Sequence, residues 1–210
     1  SRAETLLGTV SVGRNPTCVA VNAAANRAYV ANSYGNSLTV LNATTGALVT
    51  TVALGPSPYG IALNAAAGRL YVANGPKDTV SVISTVTNAV VSTFTAPGFP
   101  YALRFNPANG LLYVANADAN TVSVLEPTTG ALVASVSAGS FPRAVAVDAV
   151  RNRVYVANGF DESVSAIDGN TNAEVGRIRV GRSPVDLDVN ATTGHVYVAN
   201  SGGNSVTIIN

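Results

Sequence analysis

Three observations predict an all-β chain, folded as a five-bladed β-propeller with four antiparallel strands per blade. The tetrapeptide YVAN stands at 29–32, 71–74, 113–116, 155–158 and 197–200, always 42 residues apart. Its flanks repeat with it: Pro recurs at 16, 58, 100, 142 and 184, and Ser or Thr at 37, 79, 121, 163 and 205. Each unit also splits into four short runs rich in Val, Ile and Tyr, as in AVAVD (144–148), RVYVAN (153–158), SVSAID (163–168) and EVGRIRV (174–180). The runs alternate apolar with small or polar residues, the two-residue period of a strand, and no stretch has helical spacing. Four strands in a period of about 40 residues is the arithmetic of a propeller blade.

The elements follow in order within each unit. The recurring Pro fixes the entry to the innermost strand. Asn26, Gly68, Gly110, Asn152 and Gly194 share one column, and both residue types tolerate positive φ, so an αL turn is expected there. The tyrosines at 29, 71, 113, 155 and 197 are expected to pack between blades, each hydroxyl finding a partner. The YVAN asparagines end the second strand and, with Asn36, Asp78, Asn120, Glu162 and Asn204 four residues on, are assigned to turn closure.

Gly46, Asn88, Gly130 and Asn172 mark the turn into the fourth strand, and Glu4 holds that column in the last unit. The repeats run 14–55, 56–97, 98–139, 140–181 and 182–210, one domain over 1–210. The last unit ends on a third strand, SVTIIN, whereas ETLLGTVSV near the start matches fourth-strand segments such as GALVTTVAL. Residues 1–13 are therefore expected to be the outer strand of the closing blade, sealing the ring without an open edge.

Composition narrows the function. The chain is 47% hydrophobic and 11% charged, and twelve basic against eleven acidic residues leave a net charge of +1. Lys77 is the only lysine, so neither nucleic acid nor an anionic membrane has an electrostatic reason to bind. No apolar run reaches the ~18–20 residues of a membrane helix, so no insertion is expected. SRAETLLGTV lacks the pattern of a signal peptide, which reads as either a soluble mature chain or a trimmed one. The single cysteine, Cys18, excludes an internal disulfide and is expected to be a buried structural thiol.

YVAN, the upstream PTCVAVN (16–22) and the downstream NSLTVLNATTG (36–46) resemble the YVTN family of β-propeller repeats, over essentially the whole chain. The resemblance implies the propeller architecture and favours an extracellular, cell-surface or periplasmic setting. It implies no particular chemistry.

Comparison among the five units isolates the residues that depart from their columns. His195 stands where the others have Arg27, Arg69, Leu111 and Arg153, and with no second histidine it suggests neither catalysis nor a metal. On the innermost strands, Arg104, Asp186 and Asp188 replace small residues near the axis. An ion pair between Arg104 and either aspartate is the expected way to hold such charges, with channel water or a cation on the two aspartates as the alternatives.

The loops before the innermost strand (GRNPT, GPSPY, PGFPY, GSFPR, GRSPV) and between second and third strands (NSYGN, NGPKD, NADAN, NGFDE, NSGGN) diverge most. Both sets should emerge on one face around the channel mouth. Tyr59, Tyr101, Arg143, Phe141, Phe99, Arg14 and Arg182 are the candidate ligand-binding residues of that face, since aromatics beside arginines suit recognition.

These features predict a monomeric, non-enzymatic binding or scaffold module, with a small ligand, saccharide or protein recognised at the loop face. No catalytic set, metal site or cofactor is expected. Two alternatives compete: a channel-mouth hydrolase or lyase using Asp186, Asp188 and Arg104, and a purely structural or engineered ring without a ligand.

Overall fold

From Pro16 onward each predicted run becomes a strand. The computed structural model describes residue 6 and residues 8–210, and holds five antiparallel sheets. The first blade is β1 (Pro16–Asn22), β2 (Arg27–Asn32), β3 (Ser37–Asn42) and β4 (Leu48–Ala53), in that order across the sheet. The second repeats it with β5 (Pro58–Asn64), β6 (Arg69–Asn74), β7 (Thr79–Ser84) and β8 (Ala89–Thr95). The third has β9 (Pro100–Asn106), β10 (Leu111–Asn116), β11 (Thr121–Leu125) and β12 (Leu132–Ser137). The fourth has β13 (Pro142–Asp148), β14 (Arg153–Asn158), β15 (Ser163–Asp168) and β16 (Ala173–Arg179). The fifth has three strands among the described residues, β17 (Pro184–Val189), β18 (Val196–Asn200) and β19 (Ser205–Ile209).

The turns obey the predicted chemistry. Asn26, Gly68, Gly110, Asn152 and Gly194 all have positive φ, between 49° and 81°. Gly46, Asn88, Gly130 and Asn172 do likewise, between 54° and 75°. In the third-to-fourth turn one side chain accepts the backbone N–H groups ahead of it: Asn42 from Thr44 and Thr45, Glu126 from Thr128 and Thr129, Asp168 from Asn170 and Thr171. These bonds hold the Glu126 and Asp168 carboxyls below the usual range, the Thr129 hydroxyl leading for Glu126 and the Asn170 amide for Asp168.

The core lies in the seams between blades rather than within any sheet. In the first seam Tyr29, Ala31, Leu38, Val40 and Val52 of blade one meet Ile61, Leu70, Val72 and Ile83 of blade two. The same columns recur as Tyr71, Ala73, Val80, Val82 and Phe94 against Leu103, Leu112, Val114 and Leu125. Every blade thus has a leading face carrying its Tyr and a trailing face carrying a large aliphatic of the inner strand.

Tyr29, Tyr71, Tyr113 and Tyr155 pack between blades as the sequence predicts, whereas Tyr197 on blade five is 40% exposed and joins no seam among the described residues. Tyr71 donates to the Pro127 carbonyl of the next blade at 3.1 Å, and Tyr113 bonds Asn172. The Tyr29 hydroxyl is buried without a hydrogen-bond partner. The YVAN asparagines do more than close a turn: each is buried, with Nδ2 donating to hydroxyls of the third strand, as Asn74 does to Thr79 and Ser81.

Inner strands pack in the succession β1, β5, β9, β13, β17. At the two extremes the seam columns lie open. Val19, whose counterparts Ile61, Leu103, Val145 and Leu187 are buried, is 60% exposed. On the leading face of blade five, Val206 is 62% and Ile208 60% exposed. The expected pairing of residues 1–13 with the last blade falls partly outside the described residues, at 1–5 and 7, while 8–12 are described and belong to no strand.

Candidate functional site

Each inner strand carries a β-bulge directly after its Pro. Pro16 pairs with Asn32 and Cys18 with Ala31, leaving Thr17 unpaired, and the register slips likewise around Tyr101, Arg143 and Val185. In β5 the slip takes in Tyr59 and Gly60. A bulge turns its extra residue out of the ladder and re-aims the side chain. The residue before each Pro is left-handed: Asn15, Ser57, Phe99, Phe141 and Ser183 have φ between 48° and 61°. That conformation suits Asn but strains a bulky Phe.

The preceding blade anchors these strained loops. Asp78 Oδ1 accepts the N–H of Phe99 at 2.8 Å, Asn120 Oδ1 that of Phe141 at 2.9 Å, and Asn36 Oδ1 that of Ser57 at 3.1 Å. The two loop sets also bond to one another, as Gly159 N–H to Phe141 O at 2.9 Å and Ser33 N–H to Asn15 O at 2.8 Å. They therefore share one face, as the sequence predicts.

The bulged column lines a cavity of about 490 Å³ on the axis, with Thr17, Tyr59, Tyr101, Arg143 and Val185 each contributed by a different blade. The next column completes the wall with Cys18, Gly60, Ala102, Ala144 and Asp186, and Arg104 reaches in from the third blade. A volume of this size suits a small ligand.

Around its mouth runs a chain of rings. Tyr59 and Tyr101 stack at 4.8 Å between centroids, Phe99 sits 5.6 Å from Tyr59, Phe141 lies 6.0 Å from Tyr101, and Phe141 stacks on Phe160 at 4.4 Å. The Arg143 guanidinium lies 5.8 Å from the Tyr101 ring centre, within cation–π range, and its buried Nε has no hydrogen-bond partner. Gly60 allows this closeness: a Cβ there would come within 2.8 Å of the Tyr101 carbonyl.

Of the predicted residues, Tyr59, Tyr101 and Arg143 line the cavity, and Phe99 and Phe141 belong to its ring of aromatics. Arg182 instead leans toward Glu162, at 3.9 Å, and Arg14 is exposed outside the cavity wall. The expected ion pair of Arg104 with Asp186 or Asp188 is not made among the described residues. Arg104 Nη1 donates to the carbonyls of Leu103 and Ile61, at 3.1 and 3.4 Å. Arg104 stands on the third blade and both aspartates on the fifth, and Asp188 lies on the open leading face where water reaches it.

Cys18 is half-buried on the cavity wall rather than sealed in the core, which corrects its assignment as a buried thiol. Thr17, Asn15 and Val185 were not legible as site residues, because nothing in their side chains departs from an ordinary loop. Among the described residues no helix is long and apolar enough to cross a membrane, and no His, Cys, Asp and Glu cluster could hold a metal.

No family model matches the chain, and no curated protein matches it. Solved structures do. A hydrazine synthase of Kuenenia stuttgartiensis aligns with a TM-score of 0.82 at 20% identity, over 93% of this chain and 58% of its own. A functionally unknown protein from Desulfotomaculum acetoxidans DSM 771 aligns with a TM-score of 0.80 at 15% identity, over 96% of this chain and 71% of its own. At these identities the likeness is one of fold, and this chain spans little more than half the length of the first. Both support a repeat β-propeller fold.

Proposed function

We propose that this chain is a non-enzymatic binding module, a propeller of the YVTN repeat type working at a cell surface or in another extracytoplasmic setting. Its ligand is a small ring-bearing molecule with an acidic group, held in the axial cavity. An acidic saccharide fits this description. The observation that carries the reading is the joining of two kinds of group in one cavity: the stacked faces of Tyr59 and Tyr101, and the guanidinium of Arg143 beside them. Ring faces take up the apolar side of a sugar or aromatic ring, and a guanidinium recognises a carboxylate. Arg104 has no carboxylate partner among the described residues, so two arginines against the one aspartate of the wall favour an anion.

A thermal-shift titration tests it with glucuronate, glucose and benzoate as probes. A ligand at about 100 times its dissociation constant stabilises the folded state by about 2.7 kcal/mol, a rise of several degrees at this size. Glucuronate is expected to raise the melting temperature, and Tyr101→Ala and Arg143→Ala to abolish the rise while leaving the unliganded melt close to the parent. No rise with any probe up to tens of millimolar, or a rise that survives both substitutions, would overturn the reading.

A further inference from the structure

Phe160 is the one phenylalanine of the chain whose ring stands largely in solvent. It is 70% exposed, whereas Phe94 is buried and Phe99, Phe105 and Phe141 are partly buried. The exposure persists although one face of the ring lies against Phe141, at 4.4 Å between centroids and 16° between planes. The opposite face is therefore open. Burying an aromatic ring is a large favourable term, so a phenylalanine laid flat with one face uncovered forgoes stability that the fold could have used.

The loop that carries this ring is tied down on both sides. The Phe160 N–H donates to the Ser140 carbonyl at 3.1 Å, and the Gly159 N–H to the Phe141 carbonyl at 2.9 Å. Asp161 fastens the far side: Oδ2 accepts the Ser140 N–H at 2.9 Å, and Oδ1 accepts from the Ser163 hydroxyl at 2.6 Å. Gly159 fits against the Arg143 stem, where a Cβ would come within 2.8 Å of Cδ. The exposed ring and the guanidinium of the cavity thus belong to one packed unit, and a surface fixed in advance loses little freedom on binding. Charge beside the ring is balanced: Asp161 and Glu162 stand against Arg179 and Arg182, both of which approach Glu162. Phe160 therefore offers a ring face without net charge.

We propose that Phe160 forms a second subsite, which takes the next sugar ring of an acidic oligosaccharide whose charged residue occupies the axial cavity. The proposal rests on the reading of that cavity as a site for an acidic saccharide. Phe160 lies outside the cavity wall, and Phe141 bridges the two, 6.0 Å from Tyr101 on one side and stacked on Phe160 on the other. A chain leaving Tyr101 and Arg143 crosses Phe141 and lays the apolar side of its following ring on the open face of Phe160. With no net charge beside it, this subsite accepts a neutral residue. The ligand class is a uronate joined to neutral sugars rather than a free uronate.

Isothermal titration calorimetry tests this with three probes: glucuronate, the disaccharide of glucuronate and glucose, and that disaccharide extended by a further glucose. At least one of the two longer probes is expected to bind about tenfold more tightly than glucuronate. Phe160→Ala should remove that gain and leave glucuronate binding unchanged. Phe160→Trp keeps an open ring face and should retain the gain. The side chain is exposed, so both variants should melt as the parent does. Equal affinity for all three probes overturns the second subsite and leaves the reading of the cavity standing. A gain that survives Phe160→Ala overturns it too. So does an equal weakening of all three probes by that substitution, which would make Phe160 a support for Phe141 and nothing more. If none of the three binds, the subsite and the reading of the cavity fall together.

Discussion

Leu103 and Val19 stand in the same column of the repeat, on the inner strands of the third and first blades. The one is fully buried; the other is 60% exposed. Their sequence neighbourhoods are alike, and both strands bulge after the same Pro. What separates them is a neighbour: a preceding blade covers Leu103, with Tyr71 and Phe94 in the same cluster, and no blade among the described residues covers Val19. In a repeat protein each unit contacts little beyond its neighbours, so stability resides in the seams and fades at the ends. The aliphatic residue is written into every unit, but its energy is realised only where two units meet.

The sharpest test of that contrast is a pair of truncations measured by denaturant unfolding at low protein concentration. Leu103→Ala should cost about 2–5 kcal/mol, the lost transfer energy plus a cavity. Val19→Ala should stay within about 0.5 kcal/mol of the parent, as exposed substitutions do. Equal losses would mean that the end face is covered in the single chain, and the contrast would fail.

A smaller effect separates two buried tyrosines in equivalent seams. Tyr71→Phe removes a hydrogen bond to the Pro127 carbonyl and should cost about 1 kcal/mol. Tyr29→Phe removes a buried hydroxyl with no partner and should be neutral or stabilising. A loss in both would show that Tyr29 is satisfied after all.

The smallest effect lies at alkaline pH. Burial raises the hydroxyls of Tyr29, Tyr71, Tyr113 and Tyr155 above their ordinary value of 10.0. A folded-state pKa above the unfolded one means that the native state holds its proton longer. The stability is therefore complete below pH 10 and is lost as pH rises through the raised values. Tyr29→Phe should move the alkaline unfolding midpoint upward by a fraction of a pH unit, without altering stability at pH 7–9 by this route. A midpoint unmoved in the variant would remove the burial argument for that seam.

The candidate site was legible in part. Tyr59, Tyr101 and Arg143 announce themselves because their column otherwise holds Thr17 and Val185, and a comparison of repeats exposes the divergence. That the column is a β-bulge was hidden, since a bulge leaves no mark on a run of small and apolar residues. The left-handed column was hidden too. It contains Asn15 and Ser57 but also Phe99 and Phe141, where no glycine signals positive φ, and only anchoring by Asp78 and Asn120 holds it. The ion pair expected of Arg104 failed because repeat columns give the height of a residue along the axis but not its distance across it.

The sequence alone determined the strands, the turns and the order of the blades. Those follow from local rules, a two-residue alternation and a few Asn and Gly positions, that act within a dozen residues. The tertiary structure decided what depends on groups a hundred residues apart. It set which seams are filled, which faces stay open, and how five bulged residues from five blades converge on one cavity. The reason is geometric: the 42-residue period makes each blade in the same way, but only the angle between neighbouring blades determines whether the last meets the first.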